Sequence, residues 1–236
     1  MVPAGRAVRR LLLLAAVIAG ALAAAGTAGA TRECNGLQVC VPVAGPWVMT
    51  PGRAETQWQL ACPKKFIVGG LDAELTSRAL DLAFRGTLGS PVNPGITTST
   101  AAVFLGRLVA GRDPAASFRP HIGCIPSSGG GPRIPSAHHS VYPPARPTVL
   151  RTSAIAVRPG TTRRVTRACR AGERLVRSTH AIGFYTKQPP SRTLAGAVHV
   201  ERQTLHGRST VTIHGAAAVR GVHAVVQLDF LCAGAA

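Results

Sequence analysis

Acidic and aromatic side chains are both scarce in this chain. It has nine Asp and Glu among 236 residues, and only two Trp, two Tyr and six Phe. A glycosidase that works with two carboxylates across a cleft therefore has few candidates for the pair. The few aromatics form no stacking platform among the basic residues, and no zinc finger or RNP-type pattern is present. Both absences argue against specific nucleic-acid recognition.

Recognisable catalytic and cofactor motifs are missing as well. The sequence has no Gly-x-Ser-x-Gly elbow and no Ser-x-x-Lys pair. Its cysteines lack the short C-x2-C spacing of a zinc site. Without a complete set of catalytic roles, the sequence assigns no catalytic residue, no metal ligand and no cofactor. The alternative left open is a secreted hydrolytic enzyme whose site lies between two halves of the chain.

Long apolar runs occur only near the N-terminus. A positive segment with three arginines precedes the apolar run Leu11–Ala25, and Ala28-Gly29-Ala30 matches a signal-peptidase site. This pattern predicts a secretory signal peptide over residues 1–30. The run is short for a membrane span, and no later stretch approaches the roughly 20 apolar residues that a membrane helix needs. We therefore expect a secreted protein, extracellular or in the cell envelope, with no transmembrane segment after residue 30.

The six cysteines fit a tandem repeat. Cys62 and Cys124 are separated by almost the same distance as Cys169 and Cys232, and a Pro-Gly pair precedes each set, at Pro51-Gly52 and Pro159-Gly160. Self-similarity at a fixed period is typical of tandem structural units. An even cysteine count in an exported chain indicates disulfides. The repeat predicts the pairs Cys62–Cys124, Cys169–Cys232 and, by remainder, Cys34–Cys40.

Hydrophobic alternation with a period of two predicts an all-β fold. Leu80 to Arg85 and His223 to Cys232 alternate in this way, and Pro and Gly interrupt the pattern at short intervals. We expect two tandem small antiparallel β-sandwich units, each closed by a disulfide. The predicted organisation is a disulfide loop at 31–40, a first unit at 41–125, a Pro/Gly/Ser-rich linker at 126–147 and a second, basic unit at 148–236.

Basic charge is concentrated in the second unit. Residues 31–125 carry nine basic and six acidic side chains, whereas residues 151–236 carry thirteen and three. Such an excess attracts polyanions, which outside a cell include anionic envelope polymers and lipid headgroups. Because nearly all the basic residues are arginine, compositional bias with a merely solvated surface stays an alternative. The predicted anion-binding set is Arg163, Arg164, Arg167, Arg170, Arg174 and Arg177.

The segment that opens the first unit resembles a known module. It reads Cys62-Pro63-Lys64-Lys65-Phe66-Ile67-Val68-Gly69-Gly70, and the unit ends in an alternating strand and a cysteine. This resembles a family of exported bacterial proteins with tandem cysteine-bracketed β-modules. The second unit departs from the pattern, because Arg170 replaces the proline and Arg177-Ser178 replace the two glycines. The resemblance implies an exported scaffold and supplies no catalytic residue.

Histidines and tryptophans allow two further interpretations. His199 and His214 lie on alternating strands opposite the apolar positions, so a solvent-exposed cross-strand pair is favoured over a metal site. Trp47 and Trp58 could stack on a sugar, but the chain offers little other aromatic bulk for a core. We therefore expect both tryptophans to be buried. Function is predicted as non-catalytic binding or a structural role in the envelope.

Overall fold

Thirteen β-strands and one short α-helix make up the described part of the computed structural model, which covers residues 31–37, 39–86, 100–127 and 148–234. The predicted signal peptide and nearly all of the predicted linker lie outside the described residues. Contacts group Thr31–Ala236 as one compact unit. In chain order the elements are β1 (Val41–Ala44), β2 (Trp47–Met49), β3 (Thr56–Ala61), β4 (Phe66–Leu75), β5 (Leu80–Gly86), β6 (Ala101–Leu108), β7 (Ser117–Pro126), β8 (Thr148–Ala156), β9 (Thr161–Ala168), β10 (Arg174–Tyr185), α1 (Arg192–Ala195), β11 (Val198–Leu205), β12 (Arg208–Gly215) and β13 (His223–Ala233), with a 3-10 turn at Ala217–Val219.

The strands form one seven-stranded sheet and two three-stranded sheets, and every ladder is antiparallel. The predicted all-β class is therefore confirmed. In the first half of the chain, residues 31–127, the pairing orders are β4-β7-β2 and β5-β6-β3. In the second half, residues 148–234, they are β10-β13-β8 and β11-β12-β9. The two halves thus repeat one six-stranded pattern in the same order.

A shared sheet joins the two halves, which differs from two separate sandwiches. β2 pairs with β7 through Val48–Phe118 and with β10 through Val48–Gly183. The sheet therefore runs β4-β7-β2-β10-β13-β8 without a break, and β1 continues the edge of β7 beside β2. Hydrophobic alternation could not reveal this junction, because β2 has only three residues and all three are buried.

The two small sheets cover opposite faces of the large sheet. In the first half, Phe118, Ile122 and Cys124 of β7 pack with Trp58 and Phe104 of the first small sheet, a set we call the first core. In the second half, the even-numbered residues of β13 pack with Val165, Val211 and Ile213, the second core. Val225, on the other face of β13, belongs to the first core. Because neighbouring side chains of a strand point to opposite faces, the two cores lie on opposite sides.

The disulfides have the predicted pairing: Cys34–Cys40, Cys62–Cys124 and Cys169–Cys232. In each half the long bridge ties the strand-turn region after β3 or β9 to the last strand. Cys124 and Cys232 are buried in the two cores. No disulfide connects the first half to the second among these three, so the shared sheet and its packing hold the halves together.

The Thr31–Cys40 segment covers the face of β4 and β7 opposite the first core. Its Glu33 carbonyl lies where side chains of Gly70 and Gly123 would stand, and the Cys40 sulfur is 2.8 Å from an ideal Gly123 Cβ. Gly70 and Gly123 are register partners. Only glycine lets backbone approach a sheet face this closely. The predicted N-terminal disulfide loop therefore packs on the sheet.

Candidate functional site

Three of the predicted arginines lie on β9, the edge strand of the second small sheet. β9 pairs only with β12 among the described residues, and Arg163, Arg164 and Arg167 are exposed. None of the three lies within 4.0 Å of a described carboxylate, whereas Arg107, Arg119 and Arg151 each form such an ion pair. Unpaired guanidinium groups on one strand create a local positive potential.

A cationic cleft opens beside the start of β9. It has a volume of about 350 Å³ and is lined by Arg158, Arg163 and the two threonines Thr161 and Thr162, over an apolar floor of Ala156, Val157 and Ile213. The turn that carries Arg158 has Gly160 at a φ of +66°. Two guanidinium groups and two hydroxyls suit an oxyanion such as a phosphate or carboxylate. No described acidic residue lines the cleft.

The other predicted arginines are divided among different environments. Arg170 and Arg174 lie at the turn before β10 and at its first residue, both exposed. Arg177 donates from Nη2 to Gln57 Oε1 at 3.2 Å, so it helps to join the halves. Nearby, Arg151 forms an ion pair with Glu173, and the pKa of Glu173 is lowered by its hydrogen bonds from Arg151 and from the Arg170 amide. The predicted set is therefore not one continuous patch.

Acidic residues gather instead at the first-half end of the sheet. The ring of His121 lies 2.8 Å (Nε2) from Glu74 Oε1 and 3.8 Å (Nδ1) from Glu33 Oε1. Glu33 is buried, and its Oε2 has no hydrogen-bond partner among the described residues. Asp72, the register partner of His121, accepts a hydrogen bond from the Arg32 amide at 2.6 Å. This acidic cluster holds the Thr31–Cys40 segment against β4 and β7.

Asp229 occupies the matching place in the second half. It lies three residues before Cys232, as His121 lies three residues before Cys124, and it is 1% exposed. Gln57 Nε2 of β3 donates to Asp229 Oδ2 at 3.2 Å, and Oδ1 has no partner among the described residues. Burial raises the pKa of Asp229 to about 6, although the hydrogen bond from Gln57 and the Arg177 charge oppose the shift.

A second cleft, of about 490 Å³, lies between the halves. The first half contributes residues from Met49 to Thr56 and Pro114, and the second contributes residues of β10, α1 and β11, including His180 and Arg202. Burial lowers the pKa of His180, and the Arg202 charge adds to the shift. The hydroxyls among the described lining residues are those of Thr56 and Thr179. Neither has the hydrogen bond to a histidine that would make it an activated nucleophile.

The predicted histidine pair lies on β11 and β12, and both tryptophans lie in the interior. His199 and His214 are cross-strand neighbours, and Thr162 Oγ1 lies 2.9 Å from His214 Nδ1. Nδ1 of His214 is therefore already in hydrogen-bond contact with Thr162. Trp47 and Trp58 are 3% and 2% exposed, so both are core residues as predicted.

Metal-ligand geometry is found at one place in the described part of the chain. Cys169, Glu173 and Cys232 bring potential ligand atoms within 4.8 Å of one another. The two sulfurs are bonded to each other, and a disulfide offers no thiolate to a metal. Glu173 is already engaged by Arg151.

The sequence pattern did not identify three residues at the basic end of the second half. Arg158 was not part of the predicted anion-binding set, and Thr161 and Thr162 carried no signal. The Pro159-Gly160 pair was the available hint, because a turn there reverses the chain and brings Arg158 next to β9.

No protein-family profile, no curated protein sequence and no solved structure matches this chain. Within the described residues, no helix has the length and apolar character required to cross a membrane.

Proposed function

We propose that this is an exported, non-catalytic protein that adheres to anionic polymers of the cell envelope through the basic end of its second half. The observation that carries the proposal is the convergence of Arg158 and Arg163 on one open cleft with Thr161 and Thr162 and no described acid. Arg167 continues the positive surface on the same face of β9 as Arg163, and Arg164 is exposed on the other face of the strand. The three disulfides support an oxidising compartment, in which such bonds persist.

The spacing of the arginines fits an extended ligand better than a single small anion. A strand rises about 3.3 Å per residue, so Arg163 and Arg167 are about 13 Å apart along β9. A polymer with a charge on each monomer can engage several guanidinium groups at once. Guanidinium also binds phosphate and carboxylate with paired hydrogen bonds, which gives it an advantage over lysine.

Retention on an inorganic polyphosphate matrix tests this proposal. The protein after residue 30 is expected to bind at low salt and to elute as salt rises, because screening becomes effective beyond about 8 Å at physiological ionic strength. Vesicles with phosphatidylglycerol form a parallel arm, and stronger binding there would assign the ligand to lipid headgroups. Absence of retention on both surfaces at low salt would contradict the proposal.

The inter-half cleft supports a second, weaker candidate, a small-ligand site. Its volume falls in the usual range for ligand sites, and His180 and Arg202 are among its lining residues. The absence of an activated nucleophile among its described residues favours binding over hydrolysis.

A further inference from the structure

A side chain of the second half forms hydrogen bonds with the free edge of β3. Gln227 stands on the face of β13, accepts the Gln59 amide at 2.6 Å through Oε1, and donates Nε2 to the Gln59 carbonyl at 2.9 Å. Its amide therefore stands in for a neighbouring strand. Gln57 adds the bond to Asp229, and Thr152 of β8 donates to Gln59 Oε1. The first small sheet thus reaches along the large sheet onto the second half.

β9 is the counterpart of β3, and its corresponding edge is exposed. Trp58 and Val165 each lie four residues before the half's first long-bridge cysteine, and both are buried in a core. By the same spacing, Arg164 corresponds to Gln57 and Thr166 to Gln59. The Thr166 carbonyl accepts a hydrogen bond at 3.3 Å from Nη1 of the adjacent Arg167. Within the described residues, no second strand lies along this edge.

The surface on which that edge would fit is the one covered by Thr31–Cys40. In the repeat, Arg119 corresponds to Gln227 and His121 to Asp229, since each pair keeps its distance from the last long-bridge cysteine. Glu33 contacts His121 in the same way that Gln57 of the first half contacts Asp229 of the second half. The segment therefore acts where a repeat array would place a neighbouring unit. Repeat proteins need such a terminal cap.

We infer that the β8/β9 end is an assembly surface for the β4/β7 face of a second copy, and that Thr31–Cys40 is the cap that limits this assembly. The chain already contains one contact of this kind, the pairing of β2 with β10. In the repeat, β8 is the counterpart of β2, and β4 is the counterpart of β10. Charge is complementary, because Arg164 would approach Asp72 and Glu74 beside His121. The contact is head-to-tail and does not close on itself, so it would produce open-ended chains.

Variants of the full chain that weaken the cap test this inference. Glu33→Arg places a cation beside His121, and Leu37→Asp adds a charge where Leu37 Cδ1 lies 3.2 Å from an ideal Gly69 Cβ. By sedimentation velocity, the wild type should be a monomer. The double variant should form a concentration-dependent series whose mean mass rises roughly twofold or more, as expected for a non-closing contact.

A matched substitution on the opposite surface distinguishes this assembly from aggregation. Adding Arg164→Glu to the double variant should return it to a monomer, because Glu would face Asp72 and Glu74; adding Arg208→Glu, an exposed charge on β12, should not. A folded double variant that stays monomeric, or one whose assembly ignores Arg164→Glu, would overturn the inference. If the double variant does not fold, judged by near-ultraviolet circular dichroism, the Glu33→Arg single variant is scored by the same outcomes.

Discussion

The two halves of this protein share one strand order but differ at their open surfaces. In the first half, the side chain of Gln227 from the second half forms hydrogen bonds with the free edge of β3. The Thr31–Cys40 segment covers the face of β4 and β7 that lies opposite the first core. In the second half, β9 has no comparable cover among the described residues and carries three exposed arginines. The same scaffold is therefore closed on one side and left open and basic on the other.

This difference gives the arginines two possible physical roles. Charged side chains on an edge strand prevent unwanted strand pairing, so they protect an open edge whatever else they do. An anion-binding role needs in addition that the guanidinium groups be unpaired and converge, as Arg158 and Arg163 do at the cleft.

Removing each long disulfide in turn tests whether the halves unfold together. Cys62→Ala/Cys124→Ala and Cys169→Ala/Cys232→Ala open loops of nearly equal length, with separations of 62 and 63 residues. Each should lower the free energy of unfolding by about 4 kcal/mol on the loop-entropy relation. Because the halves share a sheet, calorimetry should show one transition that shifts in both variants. Two transitions, each sensitive to only one disulfide, would show that the halves unfold independently.

Asp229 should make stability depend on pH at the junction of the halves. Its pKa is raised from 3.8 to about 6, so the folded state keeps a proton that the unfolded state releases between those values. The free energy of unfolding should fall as the pH rises through this interval, by roughly 3 kcal/mol for a shift of this size.

Asp229→Asn should remove this dependence. The variant should be more stable than the wild type at pH 7, because no charge is buried, and its urea midpoint should be nearly flat between pH 4 and 6. Glu173, whose pKa is lowered, contributes in the opposite direction, since its stabilising interactions are lost only as the pH falls. An unchanged pH profile in Asp229→Asn would contradict the assignment.

Substitution of Gln227 tests whether its side chain covers the edge of β3, whereas the edge of β9 is open. Gln227→Leu leaves the backbone amide and carbonyl of Gln59 without their hydrogen-bond partner, which should lower the free energy of unfolding by roughly 2 kcal/mol. Gln203→Leu, on an exposed position of β11, is the matched control and should change stability by less than about 0.5 kcal/mol. Equal urea midpoints for the two variants would show that Gln227 does not finish the β3 edge.

Much of the fold was predictable because it follows from local rules. Alternation marked strands such as β13, and the nearly equal spacing of Cys62–Cys124 and Cys169–Cys232 identified the repeat and its bridges. The junction was not predictable, since it depends on β2, a strand of three residues, and on Gln227 reaching a strand 168 positions away. No local pattern encodes such contacts.

The candidate site was predicted less well than the fold. Charge counting found the basic strand β9, but it treated Arg163 and Arg177 alike, although one lines a cleft and the other bonds Gln57 of the first half. Sequence position does not separate these roles, because the face and the neighbour of each arginine are set by long-range pairing. The contribution of Arg158 likewise appears only when the turn at Gly160 is in place.

Binding of two charge-matched variants to polyphosphate tests whether the arginines of the cleft and of β9 carry the anion binding. One variant replaces Arg158, Arg163, Arg164 and Arg167 with Gln; the other replaces four exposed first-half cations, Arg53, Lys64, Lys65 and Arg78. Both lose the same charge, so net charge alone predicts equal losses of affinity. We expect the first variant to lose affinity by a factor on the order of ten or more and the second to change little. The affinity of the first variant should also depend less steeply on salt, because fewer phosphate contacts release fewer counterions. Equal losses in the two variants, or an unchanged affinity in the first, would contradict this expectation.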